Sequence, residues 1–179
     1  MADPPTDRSE TVTDIAAKLS AARDYLGANR DDARYRDSAA SAVIESGLRV
    51  RTTGPDGAEI MSDMSEGVGG GGTAPSPGWL LRAANASCIA TLIAMRAAEE
   101  GIDLDKLEVT VDSESDDYGI LGLDPAVPAG PLSMRVHVRA SSTAPDDKVR
   151  GVVEWGVAHC PVCDAVKRAV PVEVQVELG

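Results

Sequence analysis

The sequence predicts an α+β fold, with antiparallel strands packed around central helices. Three observations carry that expectation. Strand-like alternation comes in runs, without the regular strand-helix-strand repeat of a parallel sheet. One long apolar helix with a face of small residues, from about Pro77 to Glu100, belongs at the centre of the fold. And 179 residues are enough to bury one core without disulfide staples.

The elements follow in order. Residues 1 to 10 are polar and proline-bearing and read as a frayed terminus. From Thr11, the positions Val12, Ile15, Ala16, Leu19 and Ala22 fall at helical spacing and predict an amphipathic helix to about Leu26. Residues 1 to 40 read as an extension whose helix docks on something, a second copy of the chain included, and 41 to 179 as the main domain. "SAVIESGLRVR", the turn signal Gly54-Pro55-Asp56-Gly57 and "AEIMSDM" predict a hairpin over 41 to 64. "SEGVGGGGTAPSP" is a glycine-rich stretch that reads as a flexible loop over a site. It lacks the Gly-Lys-Ser/Thr ending of a phosphate loop, so phosphate binding is set aside.

In the helix from Pro77, the residues Leu81, Asn85, Cys88 and Leu92 share one face. Ala83, Ala84, Ala86, Ser87 and Ala90 permit close approach by another backbone, and Gly101 is a stop signal. "LEVTVDS" alternates as a strand, residues 114 to 131 read as a loop, and Leu132, Met134, Val136 and Val138 form one face of the next strand. Thr143 is the expected cap of a helix whose buried stripe is Val149, Val152, Val153 and Val157. A short helix follows Cys160, and Val172, Val174, Val176 and Leu178 alternate with polar residues as a half-buried last strand.

Composition narrows the function. A net charge of −12 with two histidines would repel a phosphate backbone or an anionic membrane, which excludes nucleic acid and membrane surfaces as partners. The apolar run from Trp79 to Ala98 carries Arg82, Asn85 and Arg96, too polar for an isolated bilayer span. Three cysteines are an odd number, and no charged, apolar and small leader opens the chain, so a reducing cytoplasm is the expected compartment.

Two of those cysteines stand in "AHCPVCD". Pro161 suits a first helical turn and places Cys160 at the cap, where unpaired N–H groups favour a thiolate. Cys163, one turn on, has the spacing of a vicinal disulfide partner. The motif follows a helix here, whereas in thioredoxin-like proteins it follows a strand. Structural zinc usually draws on two such pairs, and only Cys88, His137 and His159 stand beside this one, so no metal is assigned. The plainest reading takes all three thiols as small buried hydrophobes and His159 as an ordinary helix-end histidine.

"APSPGWLLRAANASC" and "HCPVCDAV", the latter followed by "VPVEVQVEL", together resemble the two signature regions of the OsmC/Ohr family over about residues 41 to 178. The resemblance implies an OsmC-like fold, an intertwined homodimer with central helices between subunits, and a thiol-dependent peroxidase acting on organic hydroperoxides or hydrogen peroxide. It needs no bound cofactor. By position, Cys88 matches the peroxidatic cysteine, whose thiolate attacks the O–O bond, and Cys160 the resolving cysteine, whose disulfide an external dithiol reduces. The chain departs from that pattern in three ways. Gly78 stands where peroxidase members carry glutamate, and no arginine lies between Ala58 and Trp79, leaving Arg49, Arg51 or Arg82 as candidates. Cys163 is an added thiol, a candidate second resolver. Two other functions stay open: a non-catalytic ligand-binding or stress-associated dimer, and a thiol-disulfide exchange protein using Cys160 and Cys163.

Overall fold

The computed structural model describes residues 8–168 and 170–179. The expected frayed terminus lies mostly outside them, and the first helix, α1, begins at Arg8 and runs to Ala28. The architecture is α+β, with helices and two small antiparallel sheets. It divides into two compact units, Ala17–Ala84 and a second that joins residues up to Ala16 to Asn85–Gly179.

The first unit is built on a three-stranded meander of β1, Ser41–Ser46, β2, Arg49–Thr53, and β3, Glu59–Ser62. Where one strand is expected over 41 to 51, the chain turns back at Gly47. That glycine holds a left-handed φ of +56°, and Val43 faces Arg51 across the pair. The second turn falls on the Gly54-Pro55-Asp56-Gly57 signal, with the Gly54 N–H donating to the Ala58 carbonyl at 2.9 Å.

The glycine-rich stretch wraps around a carboxylate instead of forming an open loop. Asp63 is buried and accepts hydrogen bonds from the N–H groups of Met64 (2.8 Å), Gly71 (3.3 Å) and Thr73 (3.1 Å) and from the Thr73 hydroxyl (2.8 Å). Arg49 Nη1 donates to the same hydroxyl oxygen at 2.6 Å. Gly70 passes so close to the Met64 carbonyl that a Cβ would sit 2.0 Å from its oxygen, which explains a glycine there.

The Thr73 N–H and then its hydroxyl, against the cost of burial, hold the Asp63 carboxyl below the usual range. A carboxylate with a depressed folded-state pKa stabilises the fold above its unfolded value of about 4. That contribution is lost as pH falls through the depressed value. The urea midpoint of the chain is therefore expected to exceed that of Asp63→Asn most at neutral pH, with the gap closing steadily below about pH 4. A gap that stays constant down to pH 2 would show that the charge on Asp63 does not hold the loop.

The central helix, α2, spans Pro77–Glu99. Ser76 Oγ accepts from the Trp79 N–H at 3.2 Å, and Pro77 fills the first turn, where no N–H is needed. At the far end Gly101, at φ +65°, donates to the Ala98 carbonyl while Ile102 donates to Ala97, a paired closure that also buries Ile102. By length and composition α2 is apolar enough to cross a membrane, contrary to the reading of its charges, a test that core helices also meet. Here Asn85, Ile89, Ile93 and Ala97 fall every fourth residue and are buried.

In the second unit β4, Lys106–Glu114, pairs with β5, Ser133–Ser141, in a two-stranded antiparallel sheet with Val109 opposite Val138. Between them lies a one-turn helix, α3, Asp117–Ile120, capped by Asp116. After β5 comes α4, Asp146–Ala158. Its cap position is Pro145, not Thr143. The first turn relies on Asp146 and Asp147, whose charge suits a helix start. The expected stripe is present, with Val152 fully buried and Val149, Val153 and Val157 packed against the core. Gly156 lies against α2, where a Cβ would stand 2.6 Å from Ile93 Cγ1, so the two helices meet backbone to side chain.

The first turns of α1 dock on this unit. Val12 and Ile15 line an apolar crevice of about 250 Å³ with Ala94, Ala97, Leu104 and Leu107. The last helix, α5, is Pro161–Lys167. Residues 170 to 179 form no strand, and their apolar side chains are exposed, which departs from the half-buried strand expected there.

Candidate functional site

The sequence places one cysteine on α2 and two around the start of α5, and the fold of the second unit brings all three together as free thiols. Pro161 opens α5 and leaves Cys160 as its cap residue, with the thiol turned back over the first turn. The Cys163 N–H donates to Cys160 Sγ at 3.3 Å. Cys160 is fully buried, Cys163 nearly so, and Cys88 is half-buried.

A fourth group completes the cluster. Asn85, one helical turn before Cys88, is 3% exposed, and its Oδ1 accepts from Cys163 Sγ at 2.9 Å and lies 3.9 Å from Cys160 Sγ. An amide in an apolar core needs such partners, since burying it unpaired is costly. Sequence reasoning set Asn85 on the Cys88 face without giving it a role. The signal was its polarity on an otherwise apolar stripe, three residues before a cysteine.

The electrostatics of the thiols differ. Burial pushes Cys160 up, but the Cys163 N–H, the neighbouring thiols of Cys88 and Cys163 and the Val162 N–H favour its charged form and leave it below the usual thiol value. Burial pushes Cys88 up. The Val162 N–H opposes this, while its bond to Cys160 and the charge there add to it. Cys163 is pushed up to about 11 by burial, by its bond to Cys160 and by the Cys160 charge, with Lys167 opposing. The cluster thus concentrates negative charge on Cys160 and keeps protons on its two neighbours. With the charge on the buried sulfur and a more accessible thiol, Cys88, beside it, the cluster can form a disulfide.

The other expected groups are used elsewhere. His159 Nδ1 lies 2.8 Å from the Trp155 carbonyl, and its ring stacks on Trp155 with centroids 4.0 Å apart. The Arg96 guanidinium stands 5.2 Å from the Trp155 ring centroid. His159 therefore closes α4, in line with the plain reading of a helix-end histidine. His137 is exposed on β5. Arg51 is engaged by Glu45 at 2.7 Å and by Glu59, and Arg49 by Thr73 and Glu45, all within the first unit. Among the described residues no three His, Cys, Asp or Glu side chains are placed to hold a metal ion.

Comparison with known proteins agrees with this architecture. The family model described as OsmC-like protein matches residues 69–175. No curated protein matches the chain. An OsmC-like protein from Mycoplasma pneumoniae superposes with a TM-score of 0.64 at 14% identity, covering 76% of this chain and 91% of its own. An organic hydroperoxide resistance protein OsmC from Legionella pneumophila gives 0.55 at 21% identity, covering 75% and 91%. An organic hydroperoxide resistance protein from Elizabethkingia anophelis gives 0.56 at 15%, covering 76% and 91%. At these identities the likeness establishes the fold.

Proposed function

The chain belongs to the OsmC-like protein family, and on that premise we propose that it is a thiol-dependent peroxidase reducing organic hydroperoxides or hydrogen peroxide through Cys88 and Cys160. The observation that carries the reading is the pairing of a half-buried thiol, Cys88, with a buried one, Cys160, in a single cluster. The hydroperoxide as substrate class is taken from the Legionella pneumophila and Elizabethkingia anophelis proteins, which are named for resistance to it.

The reaction runs in balanced steps. Cys88 gives up its proton to solvent and attacks the terminal oxygen of the peroxide as a thiolate. The O–O bond breaks, an S–O bond forms, and the departing alkoxide takes a proton from water to leave as an alcohol. Cys160, held as a thiolate, attacks the sulfenic sulfur of Cys88, forming an S–S bond and releasing hydroxide, which is protonated to water. An external dithiol then restores both thiols and becomes a disulfide itself.

Gly78 and the raised Cys88 thiol make this a slow member of its kind. The protein works as a homodimer in the reducing cytoplasm, where free thiols persist. In this reading neither a metal nor a cofactor takes part.

The test is a titration of the fully reduced protein with tert-butyl hydroperoxide and with hydrogen peroxide, counting thiols and mapping disulfides after an early acid quench. Two thiols should disappear per peroxide, and the first disulfide trapped should join Cys88 to Cys160. Peroxide consumption unchanged in both Cys88→Ser and Cys160→Ser would sink the thiol mechanism. Thiols that ignore peroxide would leave a non-catalytic binding protein in its place.

A further inference from the structure

The proposed reaction uses two of the three clustered thiols and does not use Asn85. Yet Asn85 is the buried polar side chain nearest both sulfurs of the Cys160-Pro-Val-Cys163 turn, and its shorter contact, 2.9 Å, is to the thiol left idle. We infer that Asn85 is a positioning residue that holds Cys163 against Cys160, so that a disulfide first formed between Cys88 and Cys160 is passed on to Cys160 and Cys163.

The geometry supports the transfer. Cys160 and Cys163 lie one helical turn apart, the Cys163 N–H already reaches Cys160 Sγ, and Asn85 Oδ1 fixes the direction of the Cys163 side chain from the opposite helix. An amide suits the task because it offers an acceptor to a thiol and, on its other side, N–H donors to a thiolate. Transfer is thiol-disulfide exchange with no net oxidation. Cys163 loses its proton and attacks Cys160 Sγ, the Cys88–Cys160 bond breaks, the Cys160–Cys163 bond forms, and Cys88 leaves as a thiolate that takes up a proton. While reduced, Cys163 is held protonated in part by the charge on Cys160. Once Cys160 is tied up in a disulfide that charge is gone, which eases ionisation of Cys163 at the moment it is needed. Exchange returns Cys88, the most accessible of the three sulfurs, to its reduced form and stores the oxidising equivalent in a buried pair.

The inference rests on the Cys88–Cys160 pair of the proposed reaction, but its test does not need peroxide. Reduced protein is treated with one equivalent of diamide, which joins thiols directly, and samples are acid-quenched, alkylated and mapped over time. The Cys88–Cys160 link is expected first and should give way to Cys160–Cys163, with Cys88 again open to alkylation. Asn85→Leu removes the acceptor at similar volume and should lower the final ratio of the second link to the first about fivefold to tenfold. Asn85→Asp keeps the acceptor oxygen and should retain the transfer. A wild-type link that stays at Cys88–Cys160 while Cys163 remains alkylatable overturns the inference, as does an Asn85→Leu ratio equal to that of the wild type. Disulfide migration under diamide in a protein inert to peroxide would remove the peroxidase and leave the inference standing. Peroxide turnover with the link fixed at Cys88–Cys160 would do the reverse.

Discussion

The rate at which peroxide oxidises the first thiol is expected to climb about tenfold for each pH unit between 7 and 9, without a plateau in that range. Only the thiolate attacks, and Cys88 is pushed above the ordinary thiol value by burial and by its bond to Cys160. Below its pKa the thiolate fraction, and with it the rate, follows hydroxide concentration. Cys160→Ser removes both raising effects of that neighbour and leaves burial, so the rise should move to lower pH. The same substitution removes the resolving sulfur, so turnover should stop after one oxidation with a sulfenic acid at Cys88. Stopped-flow loss of thiol, followed in both proteins, measures this. A rate already flat from pH 7 to 9 in the wild type would mean that the attacking thiol has a lowered pKa. That property belongs to Cys160, and the two roles would have to be exchanged.

This reversal is written into the sequence as a conflict. Pro161 and the Cys-x-x-Cys spacing mark Cys160 as the activated thiol on local grounds, and in the structure the Cys163 N–H donates to its sulfur. The family pattern assigns attack to Cys88 instead. What no local rule could supply is the relation among the three sulfurs and Asn85. They are brought together by the packing of Ile89, Ile93 and Val152 around the α2–α4 contact, with Gly156 allowing the approach.

The elements that could be read directly are those fixed by nearby residues. The Pro77 start and Gly101 stop of α2 and the Gly54 to Gly57 turn depend on contacts within a few positions, and the valine stripe of α4 on helical spacing alone. The misreadings have longer range. The glycine-rich stretch looked open because glycine signals freedom, but it closes on Asp63, whose partner Thr73 lies ten residues away. Gly47 lacks the proline and aspartate that announce the next turn, so its hairpin was absorbed into a single strand. Thr143 met the rule for a cap, yet the helix starts beyond Pro145, a residue whose missing N–H costs nothing at a helix start.

The double substitution Val174→Asp and Val176→Asp is expected to halve the native mass, from twice 18.6 kDa to 18.6 kDa, in sedimentation or native mass spectrometry. Residues 170 to 179 carry a strand pattern but form no strand. Val172, Val174, Val176 and Leu178 are 82%, 80%, 74% and 92% exposed, while Glu173, Gln175 and Glu177 alternate with them. Such a segment would present an apolar face and a row of unpaired backbone groups to water, a combination that proteins normally cover. In the same unit, β4 and β5 form a sheet of only two strands, which is marginal without a further strand or a covering face. A second copy can meet both needs at once, by adding its tail to the sheet and burying the valines. Charges at positions 174 and 176 would then face the interior of the pairing and oppose it. A wild-type mass of one chain would remove the homodimer, and a dimer that survives both aspartates would place its interface away from the tail.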